Sequence, residues 1–192
     1  SDSGMTGWEQ NVDPASFLQA PLDQAAGRLA DMLRAERATV LTIYDWHGNY
    51  GHPDHIKVHQ VGVRAAELVA DALPELRVFE ATMNRDELAR QIARATELGE
   101  RTFVEDGQEF DPLAPMDDGN PFGTPESELT HEVDVSAYVD AKRRAIACHR
   151  SQVTDSAFFL DMSEEQFAIA FGREWYTERG AEPGLRRGWL FD

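Results

Sequence analysis

Between Tyr44 and His59 the chain carries four of its six histidines. They lie in the run Tyr44-Asp45-Trp46-His47-Gly48-Asn49-Tyr50-Gly51-His52-Pro53-Asp54-His55 and, one helical turn on, at His59. Imidazoles and carboxylates crowded this way suit hydrolysis. A neutral imidazole ligates transition metals, and a carboxylate ligates, orients a histidine or takes a proton. Gly48 and Gly51 permit a tight loop and Pro53 suits the first position of a helix, which puts His52 at the helix mouth and His55 on its first turn. A helix N-terminus favours an anion or a developing oxyanion in front of it. Protonated His52 would stabilise that charge, Asp54 or Asp45 could hold it protonated, and Tyr50 could donate its hydroxyl to the same oxygen. A His-Pro-Asp-His run is also how an ordinary polar helix begins. His59 reads as a packed or supporting residue, His47 as an exposed loop residue, and His131 and His149 have no local spacing partner. A His-x-x-His pair supplies two ligands, where a catalytic zinc usually takes three from the protein.

The elements that must position this run follow from periodicity. From Pro21, Leu22, Ala25, Ala26, Leu29, Met32 and Leu33 recur at three and four, predicting an amphipathic helix that ends near Arg37. Thr39 to Tyr44 is a short apolar run typical of a buried parallel strand. The spacing then predicts a helix from Pro53 to Leu73, stopped by Pro74, and a second strand from Leu76 to Thr82. Strand, histidine loop, helix, strand is a βαβ unit with an expected right-handed crossover, and the polar cluster falls at a strand's carboxyl end, where open α/β sheets place their sites.

Residues 86–98 predict a further helix, 99–128 a long surface excursion, and Thr130 to Val135 a short edge strand. Ser136 is read as the cap of a helix that reaches His149, and Ser163-Glu164-Glu165-Gln166 as a capping box. Residues 1–16 read as loop. The aromatic tail, with Trp175, Tyr176, Trp189, Leu190 and Phe191, reads as docked.

Composition narrows the partners. A chain of 192 residues with 42% apolar content is about one domain long and can bury a real core. A net charge of −17 opposes phosphate backbones and anionic membranes, so nucleic acid and membrane are not expected partners. Cys148, the single cysteine, excludes an internal disulfide and fits a reducing compartment, and no apolar run nears the roughly 18 residues of a membrane span. A cytoplasmic protein is expected. A nucleophilic pair of Cys148 and His149 is disfavoured, because adjacent helical residues point about 100° apart.

The central run resembles the second motif of the LmbE-like, or PIG-L, zinc-dependent de-N-acetylases, which include the deacetylases and amidases of mycothiol metabolism. Supporting matches are Asp2-Ser3-Gly4-Met5 and Lys142-Arg143-Arg144-Ala145 leading to His149-Arg150-Ser151-Gln152. The resemblance implies an α/β, Rossmann-like three-layer sandwich with a mostly parallel sheet. It implies a zinc ion, or another divalent transition metal, with His55 as its ligand from this motif. It also implies that His52 stabilises the tetrahedral intermediate, that Asp54 orients His52, and that Tyr50 contacts the substrate oxygen. The family's chemistry is attack of water on an N-acetyl carbonyl, releasing acetate and a free amine from an N-acylated amino sugar or a related conjugate.

The family's first motif, His-Pro-Asp-Asp, has no match in these residues. The chain, 1–192, is therefore expected to be a single, partial domain of this kind whose first strands lie upstream. A complementing N-terminal segment or a homo-oligomer partner would cover the unpaired sheet edge. The competing expectation is a non-catalytic α/β module, or an inactive remnant of the fold, that holds a small anion at the helix mouth.

Overall fold

The computed structural model describes residues 1–97, 99, 104–105, 108–109, 111–116, 118–149 and 160–191. Helix α1 spans Leu22–Glu36 and closes on Arg37, which takes the left-handed conformation and returns its N–H to Arg34 and Leu33. Its buried stripe is Ala26, Ala30 and Leu33; Met32, expected on that stripe, is 64% exposed. Strand β1 (Val40–Tyr44) leads through a single tight turn, Gly48–Gly51, into helix α2, Pro53–Val69. Pro53 stands at the start of α2 as its fixed φ favours. The helix ends earlier than Leu73, and strand β2 (Arg77–Thr82) follows.

Parallel β1 and β2 pair from Val40↔Arg77 to Tyr44↔Ala81, which completes the expected βαβ order. Helix α1 packs on α2 through Ala26, Ala30 and Leu33 against Val61, Ala65 and Val69. Gly62 lets α2 approach the sheet, since a Cβ there would lie 2.4 Å from Ile43 Cγ2.

Helix α3 covers Arg85–Glu97. Within the expected excursion the described residues include a two-stranded ribbon, β3 (Val104–Glu105) with β4 (Gln108–Glu109), and a 3₁₀ turn at Glu126–Glu128. Strand β5 is His131–Asp134, helix α4 is Val139–Ala147, helix α5 is Glu164–Phe171, β6 is Arg173–Glu178 and β7 is Arg186–Arg187. The capping box forms in full, with Ser163 Oγ accepting from the Gln166 N–H and Gln166 Oε1 accepting from the Ser163 N–H.

The sheet order is β1-β2-β6-β5-β7. Pairings β1–β2 and β5–β7 are parallel, whereas β6 is antiparallel to both its neighbours, so the described sheet is open and mixed rather than mostly parallel. The difference comes from β6, which lies in the aromatic segment read only as a docked tail. Strand β5 is not an edge, because two residues of β7 pair along its outer side. The second face of the sheet buries Phe79, Val133, Tyr176 and the tail residue Leu190, whereas Trp189 and Phe191 stay exposed. Arg77 helps dock that tail by donating to the Leu190 carbonyl while pairing with Glu178. Among the described residues no helix is long and apolar enough to cross a membrane.

Candidate active site

The site grows from the end of β1. Asp45 is 1% exposed. Its Oδ1 accepts from the Asn49 N–H at 2.6 Å and its Oδ2 from the Thr82 hydroxyl at 2.6 Å. Thr82 has given its one proton to Asp45, so Thr124 donates to Thr82 across the 2.8 Å between their hydroxyls. This carboxylate holds the turn in place. Gly48 and Asn49 both adopt positive φ, 67° and 70°, and a Cβ at Gly48 would lie 2.7 Å from His55 Cβ. The turn is thereby pressed against the first turn of α2.

His52 caps that helix with its side chain. Its Nδ1 accepts from the Asp54 N–H at 3.1 Å, so the ring's proton sits on Nε2, on the side away from the helix. The Asp54 carboxylate is engaged elsewhere, by the Ser3 N–H on Oδ2 and the Ser3 hydroxyl on Oδ1. Ser3 is fully buried, and it also accepts from the Leu18 N–H, so the segment read as loop is tied down beside the site.

His55 lies flat on Tyr44, with centroids 3.9 Å apart and planes at 8°, and 4.7 Å from the His52 ring. Its Nδ1 faces the Gly48 carbonyl at 3.3 Å, so the free lone pair is on Nε2. Burial, and then the neighbouring His52, push the His55 imidazole below its ordinary pKa and favour the neutral ring. Tyr50 presents its ring edge-on to both histidines, with centroids at 6.0 and 5.2 Å. Burial, followed by Tyr44 and Asp2, raises its pKa, which keeps the hydroxyl protonated and able to donate. His52, His55 and Tyr50 are thus brought together. Asp54 adjoins them, but it meets His52 through its backbone.

The other histidines divide. His59 Nδ1 donates to the Tyr44 carbonyl at 3.1 Å and lies 3.7 Å from Glu80, a packed supporting position. His131 is buried near Glu178, while His149 is exposed. The expectation of an exposed His47 is corrected: the residue is 2% exposed, between Gly123 and Asp118. Sequence spacing carried no signal for this contact, because Asp118 belongs to a distant loop. Lys142 and Arg143 tie α4 to the chain around α5, Lys142 through Glu174 and the Phe171 carbonyl, Arg143 through the Leu160 and Met162 carbonyls. Arg150, Ser151 and Gln152 lie outside the described residues.

The expected metal site is not borne out. Among the described residues no group of three or more His, Cys, Asp or Glu side chains is placed to hold a metal ion, which overturns the expectation of zinc or another divalent metal on His55. The donor set explains the result. Asp54 is committed to Ser3, His59 to Tyr44 and His47 to the interior, which leaves His52 and His55 without a third donor among the described residues.

No family model matches the chain. Comparison with curated proteins nevertheless defines its class: an α/β protein homologous, over most of its length, to the LmbE-like, or PIG-L, deacetylases. Three relatives are each described as 1D-myo-inositol 2-acetamido-2-deoxy-alpha-D-glucopyranoside deacetylase. That of Acidothermus cellulolyticus is 35% identical over 175 residues, covering 91% of this chain and 57% of the relative. That of Thermomonospora curvata is 36% identical over 187 residues, covering 92% and 59%. That of Streptomyces griseus is 37% identical over 192 residues, covering 97% and 58%. The chain therefore spans less than two thirds of the length of these relatives.

Proposed function

We propose that this chain carries the oxyanion-stabilising and substrate-contacting groups of a deacylase that removes the acyl group from an N-acylated amino sugar or a related conjugate. The observation that supports this most is the state of His52. With Nδ1 accepting from the Asp54 N–H, the ring presents an Nε2–H donor in front of a helix N-terminus. When water adds to the amide carbonyl, the oxygen takes the negative charge, and this donor, with the Tyr50 hydroxyl, receives it. Collapse of the tetrahedral species breaks the C–N bond; both protons of the added water pass to the departing amine, and the carboxylate is left. Asp54 orients His52 through its N–H and anchors Ser3 through its carboxylate. His55 packs behind His52 and Tyr50 as a neutral ring.

The test uses the polypeptide as its cell makes it, incubated with an N-acetylglucosaminyl inositol, while acetate and free amine are measured together. Equimolar acetate and amine are expected. Saturable binding of the substrate with neither product would replace the deacylase by the binding module. No binding and no product would remove both readings.

A further inference from the structure

We propose that His47 and Asp118 form a positioning pair that clamps residues 118–124 onto the turn at 47–51 and so fixes the Tyr50 ring against His52 and His55. His47 Nδ1 lies 3.2 Å from Asp118 Oδ2, and Nε2 lies 3.3 Å from the Gly123 carbonyl oxygen and 3.8 Å from Asp45 Oδ2. Each ring nitrogen therefore faces an acceptor in a buried site. The Nδ1 contact is close, but it lacks the direction of a hydrogen bond.

The clamp has matching parts on both sides. Asn120 folds onto Asp118, giving its N–H to Oδ1 and its amide to Oδ2, each at 3.0 Å. Gly51 leaves room for Asp118, since a Cβ there would lie 3.0 Å from both Asp118 Cβ and Asp118 N. The Gly123 N–H donates to the Asn49 carbonyl at 2.9 Å, directly beside Tyr50. Arg85 holds the outside of the segment, donating to Phe122 O at 2.7 Å and to Gly123 O at 2.6 Å. The Phe122 ring then stands 6.5 Å from Tyr50, with planes at 21°. Tyr50 thus has the Phe122 ring and the two histidine rings as neighbours. The His47 side chain touches both Asp118 and Gly123, so removing either His47 or the Asp118 carboxylate opens the same contact, and both halves of the clamp should fail together.

The consequence for catalysis rests on the deacylase reading; the clamp does not. Amide exchange and histidine ring proton spectra are compared in the parent protein, Asp118→Asn, His47→Gln and the double variant. Amides of α2 between Val61 and Ala65 report whether the fold is intact. Each single variant is expected to lose roughly tenfold or more of the protection at the Asn49 and Gly123 amides while α2 keeps its own. The double variant is expected to lose no more than the worse single, and the His52 and His55 ring signals are expected to move as Tyr50 leaves. Unchanged protection, additive losses, or loss of protection with fixed ring signals would each overturn the proposal. Acetate release adds a separate reading: kcat is expected to fall more than KM rises. Ring signals that move while kcat is unchanged would end the catalytic role. A parent protein that releases no acetate would end the deacylase reading, and exchange and ring signals would still decide the clamp.

Discussion

The Asp54 N–H donates to His52 Nδ1, while the Asp54 carboxylate faces away to Ser3. One residue thus joins the mouth of α2 to the N-terminal segment, with its backbone committed to one and its side chain to the other. The family resemblance implies that Asp54 orients His52, and in this geometry the orientation needs no carboxylate.

Asp54→Asn should therefore act on stability first. It leaves the His52 bond in place and exchanges a doubly bonded carboxylate for an amide that suits the two Ser3 donors poorly, at a cost of about 1–3 kcal/mol. Thermal unfolding and proteolysis within residues 1–16 measure this. A large loss of turnover with unchanged stability would show that the carboxylate acts directly on the reaction.

His52 has two separable duties. His52→Ala removes both the cap and the Nε2–H donor, with an expected cost of about 1 kcal/mol in stability and a fall in turnover of roughly 10²–10³. His52→Asn keeps a good capping side chain and loses the donor. Its unfolding midpoint should match the parent while acetate release falls as far as in the alanine variant. Parent-level turnover in His52→Asn would remove the oxyanion role.

Local features were the legible ones. Pro53 and the polar residue before it announced the start of α2, and the capping box at Ser163 carried its own spacing, because each device works within four residues of chain. Long-range pairing was not legible. Nothing near Thr130 signals that β5 has a two-residue neighbour at Arg186–Arg187, and β6 hid in an aromatic segment without strand alternation clean enough to separate it from a docked tail. The site divides in the same way. His52, His55 and Tyr50 converge because one turn and one helix start carry them, whereas burial of His47 needs Asp118 and Gly123 from a loop across the sheet end. The metal expectation failed for a related reason: spacing shows that His52 and His55 are neighbours, but not that, among the described residues, no group of three or more His, Cys, Asp or Glu side chains gathers there.

Stability should fall on mild acidification. Burial lowers the pKa of His55 from its ordinary 6.5, and burial likewise lowers that of His131. Between the lowered folded value and the ordinary unfolded one, the unfolded chain binds more protons, so stability rises with pH across that window. The contribution is complete above pH 6.5 and is lost as pH falls toward the folded pKa. Unfolding midpoints measured from pH 7.5 down to pH ~5, still above the ordinary carboxylate range, should drop in the parent protein. The drop should shrink in His55→Asn and in His131→Asn, and be smallest when both are replaced. An equal drop in all four proteins would assign it to other groups.

The contact between α2 and β1 can be tested by adding one carbon. A Cβ at residue 62 would sit 2.4 Å from Ile43 Cγ2, and Ile43 is buried. Gly62→Ala raises helix propensity by about 1 kcal/mol but overpacks this seam, typically at about 1–3 kcal/mol, so a net loss of stability is expected. Ile43→Ala removes the obstructing branch and leaves a cavity, costing about 2–5 kcal/mol by itself. In the double variant the new methyl enters that space, and the combined loss should be smaller than the sum of the two. Denaturant unfolding of all four proteins gives the coupling directly. Strict additivity would mean that α2 shifts along the sheet to accept the methyl, and that shift would carry His52 and His55 with it.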